Sequence, residues 1–506
     1  MTPQHRWPPH QRVPSRGLRV RRKSIAHVQV CLSVIVAASW YFWGRHLDPG
    51  ESIRIASWAI LITTAWHLVS WRLSGRDLFD VYPLFLCSAT VFNGGQAILQ
   101  ALGLNPFGIL NGDQSNDLVA QALALVLISL MFTHAGALVG MSGHRCPLSD
   151  AAPREQSRRE VRHVGMALFA VSALPAAMAM AADLSAVMRS GYFSGMYQRE
   201  MATGFASTPR LIAGLMPGAL LFLLAGARRN PVSRWAPALT LAACAAVYLF
   251  IGFRGSALVI AAATLWLWER TVKPIRRTVL AGGLVAAMAI LPVIGAVRDL
   301  SGEKRLDGRI ILTAWASVDS PVVAAVSEMG GSLLTVVHIV NLVPSKWPYE
   351  YGSTYLYALL TIFPNIFWDI HPSIAHSPGT RLLWEVAPST AANGGGIGFS
   401  YISEAFLNFG WLGAPIAVFL LGYGFGRLTR WLDACHDTGR LAVAATALMP
   451  LILYARSESG GVLRGVIWFA ILPYLVVVIL RQLFLHREAM HPRNNRRMIR
   501  PSVTGI

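Results

Sequence analysis

The chain has 506 residues, 54% of them hydrophobic and 14% charged, with a mean hydropathy of +0.47. A soluble protein of this size needs far more polar surface, so the composition excludes that class and reads as a polytopic membrane protein. The formal net charge of +19 does not by itself imply nucleic acid, because basic loops facing anionic lipid give the same excess.

Roughly 20 apolar residues cross ~30 Å of hydrocarbon. On that measure the sequence predicts twelve spans, at about 25–43, 53–71, 81–103, 117–141, 164–183, 209–226, 236–252, 255–268, 278–297, 410–428, 441–455 and 465–485. The two short runs around 236–268 read as one hairpin turning at Gly252-Phe253-Arg254-Gly255. The basic tails, 1–24 and 486–506, read as disordered, and no internal repeat is visible. The run after Arg22 and Lys23 has no small-residue cleavage pattern and leads into further spans, so a cleaved signal is not expected. Cys31, Cys87, Cys146, Cys244 and Cys435 avoid outward loops and show no metal-ligand spacing, so neither a disulfide nor a metal site is implied.

Charge sets the orientation. The segments 1–24, 72–80, 142–163, 227–235, 269–277, 427–440 and 481–506 hold 30 of the 44 Lys and Arg. The positive-inside rule therefore puts both termini in the cytoplasm and the only large loop, 298–409, outside. Within it, 319–342 has helical apolar spacing but too many polar residues to span. Residues 352–368 are apolar, aromatic and interrupted by Pro364. Such segments suit the membrane interface, and irregular backbone at that depth must be buried in protein or line a wet cavity. The expected fold is thus all-α: a bundle (25–297 and 410–485) with the large loop folded as a membrane-level lid.

Outward arginines form the first candidate site. Arg210 opens a span, Arg254 sits in the tight turn, and Arg298 ends a span, followed by Lys304, Arg305 and Arg309. Arg381 lies in the loop, and Arg456 and Arg464 flank ARSESGGVLRG. These positions run against the positive-inside bias. A planar guanidinium gives two-point contacts to phosphate, although any one of them is equally a side chain snorkelling to the headgroups. The second candidate is the loop cluster Asp369, His371, His376, Arg381 and Glu385, where an imidazole offers a base in the right pKa range. The third is AANGGGIGFSYISEAFLNFGWLG, in which Glu404 and Asn408 share a helical face at the mouth of a span. A weaker set, Tyr192, Tyr197, Arg199 and Glu200, suits a sugar face or the membrane interface equally well.

The stretches GSTYLYALLTIFPNIFW and GGGIGFSYISEAFLNFGWLGAPIAVFLLGYGFGRL, with RGS at an outer turn, resemble bacterial oligosaccharide repeat-unit polymerases of the O-antigen polymerase (Wzy) type, similar in class to multispanning GT-C glycosyltransferases. The resemblance is good over about 350–430. It implies an inner-membrane, periplasm-facing enzyme that joins undecaprenyl-diphosphate-linked oligosaccharide units. It also implies a flippase and a chain-length regulator as partners, and no nucleic acid. No cofactor is expected, and the long loop has no DxD motif or paired carboxylates, which argues against a metal-dependent mechanism. In this reading His376, His371 or Glu404 serves as base. Arg210, Arg254, Arg298, Arg381, Asn408, Arg456 and Arg464 hold the diphosphate or glycan. An O-antigen ligase-like transferase is the nearest alternative. A lipid-linked oligosaccharide transporter predicts repeated halves and charges deep in spans, and neither is evident.

Overall fold

The structure, a computed structural model, describes residues 16–142, 154–197, 208–228, 230–305, 307–318, 320–365, 368–433 and 437–490. Every regular element among them is helical. The first part of the bundle comprises α1 (Arg16–Phe42), α2 (Pro49–Leu73), α3 (Val81–Ala101), α4 (Asn116–Ser142), α5 (Arg154–Tyr197), α6 (Thr208–Ala213), α7 (Leu215–Ala225), α8 (Pro231–Ile251), α9 (Arg254–Thr271) and α10 (Arg277–Val297). The long loop folds into α11 (Gly308–Ala316), α12 (Pro321–Gly330), α13 (Leu333–Leu342), α14 (Ser353–Leu359), α15 (Pro372–Ala375), α16 (Pro378–Val386) and α17 (Pro388–Ala392). The chain closes with α18 (Tyr401–Asp433), α19 (Thr438–Leu453), α20 (Ser459–Val466) and α21 (Leu472–Met490), the last two joined by a π-helical turn, Ile467–Ile471.

Eleven helices among the described residues are long and apolar enough to cross a membrane, so this is a multi-pass membrane bundle. Ten coincide with predicted spans. Helices α3 and α9 form where spans were expected but fall outside the eleven; Asn93 and Gln96 lower the hydropathy of one, and Arg254, Glu269 and Arg270 that of the other. The eleventh is Pro321–Leu342, whose composition is more apolar than the expectation of a segment too polar to span, though its two helices of ten residues each are too short to cross singly. It is broken at Gly331-Ser332, and its second half buries Leu333, Val336, Val337 and Ile339 in the main core.

Other boundaries also move. Residues 16–24 and 486–490 are helical rather than disordered, while 1–15 and 491–506 lie outside the described residues. Helix α5 runs on to Tyr197 through a break at Gly191, so it continues past the predicted end of that span at 183. Helix α18 begins at Tyr401, nine residues before the predicted span, and bends at Gly410. The 252–255 turn is as expected: α8 ends at Ile251, Gly252 is left-handed, and α9 starts at Arg254.

The core is organised by one helix crossing. Gly136 and Gly140 of α4 face Gly422 and Gly426 of α18, and a Cβ added at any of the four would lie 1.9–2.3 Å from a carbonyl oxygen of the other helix. Small residues four apart let two backbones meet, the usual way helices pack where lipid supplies no hydrophobic drive. At one end of the bundle charges are paired: Arg270 with Asp80 at 2.6 Å, Arg481 with Glu160 and Asp437 at 2.9 and 3.1 Å, and Arg76 with Asp433. The other end carries α9's start, α10's end, α18's start and α19's end, and there the long loop docks.

Gly422→Val is expected to cost about 1–3 kcal/mol or more, because neither backbone can yield. Gly424→Val, whose added Cβ meets open space, is expected to be silent. Thermal unfolding of the two variants in detergent, followed by size-exclusion, checks this.

Candidate functional site

The segment 454–466 is the seam between bundle and loop. Helix α3 fixes its start: Ser88 donates to Ile452 O at 2.8 Å and Asn93 to Ala455 O at 3.0 Å, while Ser400 donates to Asn93 Oδ1 at 2.6 Å. Arg456 is thereby held over the Phe92 ring, 5.8 Å from its centroid. The glycine-rich strip crosses it. Gly398 has φ +75°, which favours glycine, and a Cβ there would lie 3.0 Å from Arg456 Nε, so any other residue would also displace that side chain.

Three predicted arginines gather here. Arg254, in the first turn of α9, donates from Nη1 to Glu328 Oε2 and to Leu291 O, each at 2.9 Å, and from Nη2 to Glu328 Oε1. Arg298, capping α10, lies 5.2 Å from the Tyr192 centroid and reaches Asp299 only at 3.6 Å. Arg456 is exposed and makes no ion pair or hydrogen bond through its side chain among the described residues, although it feels the fields of Glu328, Arg254 and Arg298. Tyr192 and Tyr197 border the cluster, their hydroxyls 3.2 Å apart; Arg199 and Glu200 lie outside the described residues. Glu328 was not foreseen. Its signal was a lone carboxylate in an otherwise apolar helix, VVAAVSEMGG, a placement that is costly without a partner.

The other predicted cations go elsewhere. Arg210 is clamped by both oxygens of Asp183 at 2.8 Å. Arg305 is buried and caps helix ends, donating to Arg298 O at 2.7 Å, Ile251 O at 3.0 Å and Phe250 O. Arg381 pairs with Glu350 at 2.8 Å and stacks 4.0 Å from the Trp347 centroid; Glu385 takes Lys346.

Glu404 and Asn408 are buried rather than open to substrate. Glu404 accepts from Thr354 Oγ1 at 3.0 Å, Ser459 N at 2.8 Å and Ser459 Oγ at 2.6 Å. Asn408 donates to Thr354 Oγ1 at 2.7 Å and accepts from Gly352 N at 2.8 Å. Together they tie α18, the start of α14 and the start of α20. One residue earlier, Glu458 accepts from Gly379 N and Ser377 Oγ, each at 3.0 Å, and anchors α16; burial pushes its carboxyl up and these bonds pull it down.

The two loop histidines do not converge. His371 is buried, its Nδ1 2.8 Å from Ser373 Oγ, and Arg464 Nη2 donates to the same hydroxyl at 3.4 Å. Burial first, then the nearby Arg464 charge, lowers its pKa and favours neutral imidazole. His376 is exposed and stacks on Tyr357 at 4.1 Å. Among the described residues no three of His, Cys, Asp and Glu come together to hold a metal ion. Exposed apolar side chains near the histidines in sequence are Leu356, Leu359, Ile362 and Phe363, within the predicted interfacial segment, and Ile370 and Ile374 after it.

The model of one family, O-antigen polysaccharide polymerase Wzy, matches residues 25–488. The chain belongs to that family. No curated protein and no solved structure matches it. Membership makes this chain a glycosyltransferase-type polymerase of polysaccharide biosynthesis that acts on lipid-linked oligosaccharide. The arginine cluster, with Glu328 among it and Tyr192 and Tyr197 beside it, then lies at one end of a Wzy-family bundle.

Glu404→Leu is expected to strand Ser459 N, Ser459 Oγ and Thr354 Oγ1, at about 1–3 kcal/mol for each buried group left unpaired. A fall of several degrees in the detergent melting temperature checks it.

Proposed function

We propose that this Wzy-family polymerase joins undecaprenyl-diphosphate-linked oligosaccharide repeat units on the periplasmic face of the bacterial inner membrane, and that Arg254, Arg298 and Arg456 hold the diphosphate of the donor. The supporting observation is Arg456: an accessible guanidinium with no counter-ion among the described residues, beside two more at a bundle end. Like charges gathered together repel, and a diphosphate relieves this with oxygens suited to guanidinium forks.

In the reaction a hydroxyl of the acceptor's terminal sugar attacks the anomeric carbon of the donor. The new C–O bond forms as the anomeric bond to the diphosphate breaks, and the lipid diphosphate departs with the electron pair. Arginines already aimed at the phosphates stabilise the charge that develops there. The hydroxyl proton passes to His376, the exposed imidazole of the loop, or to water; His371, buried and tied to Ser373, is better placed to fix the loop. Glu404, enclosed by Thr354 and Ser459, acts as an anchor in this reading. Arg464 gives a second positive point, five residues and about 7.5 Å of helix rise beyond Ser459; a reaction between two lipid-linked chains brings two diphosphates to one face. The exposed apolar side chains of the loop rest on the outer leaflet, which holds donor and acceptor at one height. A flippase and a chain-length regulator are the expected partners.

Arg456→Gln and Arg254→Gln are each expected to cut polymerisation roughly 100-fold or more, leaving single-repeat glycan on surface-polysaccharide gels while the protein stays in the membrane. A normal ladder would remove the residue from the site. Accumulated lipid-linked polymer on deleting the gene would make the enzyme a ligase instead. The orientation has its own check. With the chain's five cysteines replaced by alanine, Asn393→Cys is expected to react with an impermeant thiol reagent in intact cells lacking the outer-membrane barrier. Reaction only after lysis would invert the topology.

A further inference from the structure

The Arg254–Glu328 pair is unusual among this protein's ion pairs because it sits inside the proposed phosphate site. Both carboxylate oxygens are spent on the two terminal nitrogens of Arg254. The Glu328 side chain is nevertheless 46% exposed while that of Arg254 is 14% exposed, so the acid is the partner that can leave. The pair leans on α10, where a Cβ on Gly295 would lie 2.9 Å from Arg254 Nη1 and 3.8 Å from Glu328 Oε2. The charged groups facing Glu328 are Arg254, Arg298 and Arg456. Asp299 is the only other acid at the cluster among the described residues, at a long 3.6 Å from Arg298.

Resting on the diphosphate reading above, we propose that Glu328 is a displaceable counter-ion that matches the site to the donor and drives release of the lipid diphosphate. Three guanidiniums and Glu328 leave a net charge of +2, Asp299 standing at the edge of the cluster, 55% exposed and no nearer than 3.6 Å to Arg298. A sugar-linked lipid diphosphate is esterified at both ends and carries two negative charges, so the donor neutralises the site with Glu328 still in place. Cleavage of the anomeric bond turns one ester oxygen into an ionisable one. The leaving lipid diphosphate therefore carries up to three negative charges, and the third draws on Arg254. Glu328 is then left without its partner and competes for Arg254 again, which speeds departure of the product. Glu328 is a positioning residue in this scheme: it acts on Arg254 and forms no bond to substrate.

The direction of one measurement separates this from a structural role. If Glu328 merely holds Arg254 in place, its loss weakens binding of lipid diphosphate. If it is a competing counter-ion, its loss strengthens binding. The full-length protein in nanodiscs, titrated with undecaprenyl diphosphate, is expected to bind roughly tenfold more tightly as Glu328→Gln than as wild type, the loss of one competing charge in a partly desolvated site. Turnover is expected to fall, with a lower donor KM and stronger product inhibition. Unchanged or weaker binding overturns the proposal. Should Glu328→Gln fail to fold, Glu328→Asp, one methylene too short for the two-point clamp, is expected to bind roughly threefold more tightly, and unchanged or weaker binding there overturns it equally. Arg456→Gln is measured alongside. Wild-type affinity in Arg456→Gln refutes the diphosphate site itself, whereas weakened binding there with no tightening in Glu328→Gln refutes only the counter-ion role.

Discussion

Everything at the proposed site hangs on the contact between α4 and α18. Where backbones touch at Gly136, Gly140, Gly422 and Gly426, the two helices have no freedom to slide, because no flexible side chain separates them. Helix α18 carries that rigidity to its first turns. There Glu404 and Asn408 convert it into hydrogen bonds to Thr354, Gly352 and Ser459. The loop and the seam that presents Arg456 are thus set by the same crossing that sets the bundle. Buried polar networks of this kind specify one arrangement when fully satisfied, and all the bonds of this one are internal.

The protein spends its charge differently at its two ends. At one end acids and bases neutralise each other across helices: Arg481 with Glu160 and Asp437, Arg277 with Glu269, Arg270 with Asp80. At the other end Arg210, Arg305 and Arg381 are also satisfied, by a carboxylate, by helix carbonyls and by a carboxylate with an indole. Arg456 is not, and Arg298 is only weakly so. Among the described residues Arg464 likewise has no carboxylate, only the Ser373 hydroxyl, while the other embedded charges are mostly matched; under the proposed function these are the groups that take an anion from outside the chain.

Much of this was legible in the residues. Apolar runs located ten of the eleven candidate spans, and the bias against outward arginine picked out Arg210, Arg254, Arg298, Arg381, Arg456 and Arg464, of which Arg254, Arg298 and Arg456 come together. What was not legible follows from pairing. Sequence gives no sign of which arginine meets Asp183 or Glu350, so Arg210 and Arg381 looked equivalent to Arg456. Glu404 sits at the mouth of a span as a catalytic acid would, and only its three donors, from segments 354 and 459, reveal a buried anchor. Pro321–Leu342 was judged by its polar residues, yet Thr335 bonds within the bundle to Ser332 O at 2.9 Å and lies 3.2 Å from Ser403 Oγ, so those residues do not bar burial.

The π-helical turn at Ile467–Ile471 gives α20 and α21 different phases on one continuous rod. A π turn holds about one residue more than an α turn, and one residue is about 100° of rotation. Helix α21 is therefore free to choose the face it turns to lipid, with Leu475, Val476 and Ile479 exposed, while α20 aims Ser459 at Glu404 and Arg464 at Ser373. Without that extra residue the two demands would share a single helical register, and meeting one would turn the other away.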